Sequence, residues 1–200
     1  RVLWGAGGMT GIARAMEFLA LSLYALQELG LPYLVTIIFA ARMLPLSLLG
    51  IIIGTISERI SPLLLIKIIY ALSNIFTATS VILVITNNFN VYFAFILAFI
   101  NGITWVVDLA VRRRVLAENI KKNLLSSSLA METLSNNATR LIGPLCAGSL
   151  YAFVGLSGIF CLQLLMYIFA LGLIFRFKDN TNNKKFLYSS KKIVSNIKEH

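Results

Sequence analysis

Arg140-Leu-Ile-Gly143-Pro144-Leu-Cys-Ala-Gly148 puts a guanidinium and a Gly-Pro pair inside a long apolar run. A charge in hydrocarbon costs at least ~2.5 kcal/mol, so this arginine must face other helices or a wet cavity. Proline leaves a carbonyl without its helical donor, which a membrane tolerates only where neighbours or water supply one. The construction recurs in Ala41-Arg42-Met-Leu-Pro45-Leu-Ser-Leu-Leu-Gly50, where arginine is again followed by proline and then by glycine. Other ionisable and polar groups fall at helical spacing. Arg14 and Glu17 share one face, as do Asn101, Trp105, Asp108 and Arg112, and so do the central members of Ser128, Glu132, Asn136, Arg140, Pro144 and Gly148. The chemistry such groups offer is the making and breaking of ion pairs. Arg14, Arg42 and Arg140 could face an anionic substrate or the carboxylates Glu17 and Glu132. A pair closed in one state and open in another could bind and release a proton. Glu132 is the first candidate for that proton and Glu17 the second. A purely structural ion pair between Arg14 and Glu17 is the bland alternative.

Other chemistries find little support. His200 is the only histidine and ends the chain, which removes most metal sites and histidine-dependent catalysis. Gly155-Leu-Ser157-Gly158 imitates the nucleophile loop of intramembrane serine proteases, but the spans hold no histidine to activate the serine. Cys146 and Cys161 read as small buried hydrophobes rather than as a disulfide. Neither enzymatic activity nor a metal or cofactor is expected.

The elements that must hold these groups are long apolar blocks. Hydrophobic residues make up 58% of the chain and charged ones 13%, about half the charged share of soluble domains. Six spans are expected, at about 4–28, 33–54, 63–86, 91–111, 126–153 and 158–175, each near the ~20 residues that cross a bilayer. The net charge of +10 is not the mark of a nucleic-acid partner, because of where it sits. Loops 29–32, 87–90 and 154–157 carry no Lys or Arg, whereas the alternate loops and ends are basic. That asymmetry predicts both termini on the cytoplasmic side, with the bilayer as the first partner. The first span is too long and Gly-rich for a signal peptide. Span three is aliphatic except for Lys67, which can snorkel, and is expected to face lipid. Residues 1–177 form the predicted transmembrane bundle, and 178–200 a basic cytoplasmic linker, either a surface helix or a disordered tail. The two Arg–Pro–Gly passages read as the middle helices of two triplets, an arrangement on which transporters are built.

Three stretches carry a family resemblance: Ala41 through Gly54, Val111-Arg112-Arg113-Arg114-Val-Leu-Ala-Glu118, and Asn137 through Gly148. With them the chain resembles the amino-terminal six-helix half of a major facilitator superfamily transporter, nearest the enterobactin-exporter-like efflux permeases. The resemblance implies an all-α integral membrane fold with six transmembrane helices in a 3+3 inverted repeat, half of a twelve-helix transporter. It also implies a bacterial cytoplasmic-membrane location, a small-molecule substrate, alternating access, and a carboxy-terminal half of the same protein as partner. The missing initiator Met and the stop after a basic linker fit a fragment. From residue types and helical spacing rather than from a motif match, the expected transport pathway or coupling residues are Arg14, Glu17, Arg42, Asn101, Trp105, Glu132, Asn136 and Arg140. Gly54, Glu58, Arg59, Asp108 and Arg112 match the family's cytoplasmic gating charge cluster, although Ser61, Pro62 and Leu63 replace a glycine and two basic residues. Gly143, Pro144, Ala147 and Gly148 match the family's exporter-associated signature in span five, which leans toward export, and Pro45, Gly143, Pro144 and Gly148 are the expected helix-bend residues. Ala98 stands where proton-coupled drug exporters have arginine. A self-pairing six-span transporter and a non-transporting membrane scaffold are the alternatives.

Overall fold

The computed structural model describes the backbone of residues 2–119 and 122–176, and the side chains of 5–50, 60–115 and 126–176. The predicted linker 178–200 lies outside the described residues. Every described element is helical: α1 (Val2–Leu23), continued by a π-helical turn (Tyr24–Glu28), α2 (Pro32–Arg59), α3 (Pro62–Ile85), α4 (Val91–Asn119) and α5 (Lys122–Arg176). Local chemistry marks the starts. Extended Ser61 precedes Pro62, whose missing N–H and fixed φ suit the first turn of α3. At α4 the Asn90 side chain accepts the Phe93 N–H at 2.9 Å.

The structure departs from the expected span limits: α4 runs on to Asn119 where 111 was expected, and two connections differ. The loop expected at 154–157 shrinks to Gly155, whose φ of 70° and ψ of −161° divide α5 into limbs 122–154 and 156–176. A glycine supplies such a break within one residue, so no polar loop is needed. The connection expected between 54 and 63 is shorter, because Ser57-Glu58-Arg59 is the last turn of α2. Pro45 and Pro144 both lie inside helices that continue past them.

Packing pairs α1 with α5 and α2 with α4, while α3 lies against α4 and α5. Two glycines let neighbouring helices come close. A Cβ on Gly102 of α4 would sit 2.2 Å from the Arg42 carbonyl oxygen, and one on Gly143 of α5 would sit 2.4 Å from the Ala15 Cβ. Small residues are how membrane helices gain contact without a hydrophobic driving force between them. Two apolar clusters close the bundle at opposite ends, one around Met16, Ile38, Leu97 and Phe160, the other around Ile66, Tyr70, Val111 and Ile174.

Outside, the chain is oily. Leu64, Ile68, Ile75, Ile82 and Ile85 of α3 are exposed, as are Leu141, Leu145, Phe153 and Phe175 of α5. A water-soluble monomer rarely exposes so continuous an apolar surface. Five helices are long and apolar enough to cross a membrane, so this is a multi-pass membrane protein. Both cysteines are free; Cys161 lies on that exposed surface rather than in the core expected for it.

Candidate functional site

Three polar groups lie along the bundle, the first two of them largely buried. The first joins α1, α3 and α4. Arg14 Nη2 donates to Asp108 Oδ2 at 2.6 Å, and Arg112 Nε donates to Asp108 Oδ1 at 3.0 Å from one turn further along α4. The Tyr70 hydroxyl donates to Asp108 Oδ1 at 3.4 Å and accepts from Arg112 Nη2 at 3.4 Å. One carboxylate thus balances two guanidiniums. Arg14 is therefore committed to Asp108, and the local pair with Glu17 considered from the sequence does not form: the α4 carboxylate reaches the guanidinium directly.

Glu17 stands in a second group. Gln163 Nε2 of the carboxy-terminal limb of α5 donates to Glu17 Oε2, and Asn101 of α4 flanks the same carboxylate. All three side chains are buried. Glu17 Oε1, Gln163 Oε1 and Asn101 Oδ1 have no hydrogen-bond partner among the described residues. A buried unsatisfied oxygen costs about 1–3 kcal/mol, so this centre is held ready to accept protons or donors.

The third group is a stack of cations and rings. Arg42 of α2 lies 5.3 Å from the Phe18 ring and 6.0 Å from the Trp105 ring, and Arg140 of α5 lies 5.2 Å from Trp105. Neither arginine makes an ion pair among the described residues. Arg42 Nε is buried without a partner. Cation–π contacts contribute about 0.5–2 kcal/mol each, against at least ~2.5 kcal/mol for a guanidinium at membrane depth. The stack offsets only part of the cost of these two charges.

Glu132 is buried, and its Oε1 also lacks a partner among the described residues. It makes no ion pair with Arg140 there, since Arg140 turns to Trp105. Arg140 is exposed rather than directed into the bundle, and its neighbours Thr133 and Asn137 are exposed with it. Asn136 is half-buried, its carbonyl accepting from the Thr139 hydroxyl at 2.8 Å. Of the expected gating residues, Asp108 and Arg112 meet; the side chains of Gly54, Glu58 and Arg59 lie outside the described residues. Arg114 Nη1 does reach the α2–α3 turn, donating to the Ile60 carbonyl at 3.2 Å. The protease-like serine is spent locally, its hydroxyl donating to the Val154 carbonyl at 3.3 Å.

Sequence reasoning missed Tyr70, Phe18 and Gln163. Gln163 carried a signal, as the one strongly polar side chain in an otherwise apolar and aromatic span. Tyr70 and Phe18 carried none, because an aromatic in a membrane helix is ordinary.

Charges buried between membrane-crossing helices are a feature of membrane transport proteins. The family model described as a transmembrane secretion effector, of the major facilitator type, matches residues 1–199, and the chain belongs to that family. No curated protein and no solved structure matches the chain.

Proposed function

We propose that the chain is the amino-terminal six-span half of a secondary exporter that moves a small molecule by alternating access against a carboxy-terminal half. The observation that carries this is the exposed polar face of α5. Thr133, Asn137 and Arg140 lie mid-span on a chain whose remaining surface suits lipid. Such groups belong against protein or water, never hydrocarbon. A second half, with a wet path between the two, supplies that cover.

The 3+3 repeat is supported by the packing. Exchanging the first three helical segments for the second three turns the α1–α5 pair into the α4–α2 pair. The close contacts fall at matching places on the two pairs, with the glycine on opposite partners: Gly143 of α5 meets α1 just after Arg140, and Gly102 of α4 meets α2 at Arg42. The stack obeys the same exchange, Arg42 on Phe18 at 5.3 Å answering Arg140 on Trp105 at 5.2 Å. Short connections make successive spans antiparallel, so a repeat of three is inverted. Basic loops on one side support cytoplasmic termini in a bacterial plasma membrane. The family's description as a secretion effector and the Gly143-Pro144 pair support outward transport, as in the enterobactin-exporter-like permeases that the sequence resembles. Arg14, Glu17, Arg42, Asn101, Trp105, Glu132, Asn136 and Arg140 then line or serve the path, and Asp108 with Arg112 and Arg14 fastens one end of it.

The test is hydration. In a protein whose own cysteines are replaced, Asn137→Cys should react with a water-soluble maleimide in membranes, while Ile75→Cys on the oily face of α3 should not. Equal protection of both would place the α5 face in lipid and remove the pathway.

A further inference from the structure

Arg42 and Arg140 come from α2 and α5, yet their guanidinium carbons both lie within 6.0 Å of the Trp105 ring centroid. Two like charges converge there with no carboxylate in ion-pair contact among the described residues. Of the acidic groups around them, Asp108 serves Arg14 and Arg112, while Glu17, bonded to Gln163 through one oxygen, attracts Arg42 without reaching ion-pair contact. Glu132, on the same helix as Arg140, makes no ion pair there. Aromatic faces attract the two cations without neutralising them. The Arg42 Nε–H remains buried and unused, and Arg140 is open to the exposed polar face of α5. No oxygen anion touches either guanidinium among the described residues, and each presents paired N–H donors at the spacing of a carboxylate or phosphate.

We infer that Arg42 and Arg140, gathered on Trp105, bind an oxyanion of the transported molecule, which makes the substrate an organic anion. The inference rests on the transport reading and narrows its substrate. Phe18 and Trp105 hold the guanidinium planes in place before the ligand arrives, so little side-chain freedom is lost on binding. The two guanidiniums repel each other across the ring, and an anion relieves that repulsion.

The measurement is thermal unfolding of the complete protein in phosphatidylcholine nanodiscs, with sodium benzoate or benzylammonium chloride as probe at matched ionic strength. Benzoate should raise the melting temperature of the parent and benzylammonium should not. Arg42→Gln and Arg140→Gln should each melt at or above the parent temperature without ligand, and each should lose most of the benzoate shift. Arg42→Lys keeps the charge and should retain part of it. Ligand-free glutamine variants that melt several degrees below the parent would overturn the inference, since the arginines would then already have an anionic partner within the protein. So would a benzoate shift that is absent in the parent or the same in all variants. Replacing part of the lipid with phosphatidylglycerol separates the sources of anion. If only that lipid gives an arginine-dependent shift, the site holds a headgroup and the substrate assignment fails. Failure in any of these ways, with Asn137→Cys still reactive to maleimide, would leave the hydrated pathway standing.

Discussion

Asp108 accepts hydrogen bonds from Arg14, Arg112 and Tyr70, so its charge holds α1, α3 and α4 at one place. Asp108→Asn keeps the shape but leaves two buried guanidiniums without an anion. Removing one partner of a buried pair costs about 3–5 kcal/mol. Chemical unfolding in mixed micelles should show a loss of that size; an unchanged midpoint would mean that water or lipid already satisfies both arginines. Glu17 is different in kind, bonded through one oxygen with the other open. If it carries the coupling proton, Glu17→Gln in the complete protein should abolish efflux driven by a proton gradient while expression is kept, because an amide cannot titrate. Full gradient-driven transport by that variant would return the role to Glu132. The sequence ranked Glu132 first because spacing reveals a stripe and says nothing of partners. It also placed Arg14 beside Glu17, three residues away on the same helix. Asp108 wins that guanidinium from another helix, a choice made by tertiary packing and invisible to periodicity.

At the scale of elements, α2 and α4 meet through Gly102, where any side chain would collide with the Arg42 backbone. Backbone cannot yield as a flexible side chain can. Gly102→Ala should therefore destabilise by about 1–3 kcal/mol, as overpacking does. Gly172→Ala meets nothing within 4 Å and should be neutral or stabilising by up to about 1 kcal/mol through helix propensity. A thermal melt of the two variants that moved in the same direction would contradict this account of the α2–α4 contact. Helix positions were largely legible, because about twenty apolar residues with polar ends leave few alternatives. The ends were less so. Glu58 and Arg59 looked like loop on composition, yet helix continues until Pro62 forbids it. Likewise 154–157 looked like a connection, but Gly155 alone makes the break.

For the whole molecule, the unusual property is a surface with two characters. Most of it is aliphatic, while Thr133, Asn137 and Arg140 mark a polar face near the arginine stack. The sequence announced this in Arg42–Pro45–Gly50 and Arg140–Pro144–Gly148, since repeated charges in apolar runs need a common explanation. It could not say that both arginines would gather on one tryptophan. That depends on α2 and α5 approaching α4 from two sides. The central claim is that this face lines a path open to one side of the membrane at a time. Asn137→Cys, in the complete protein with Cys146 and Cys161 replaced, tests it in right-side-out and inside-out vesicles with an impermeant maleimide. The account predicts reaction from one side at rest and from the opposite side when a proton gradient is imposed. Reaction from one unchanging side under both conditions would contradict it.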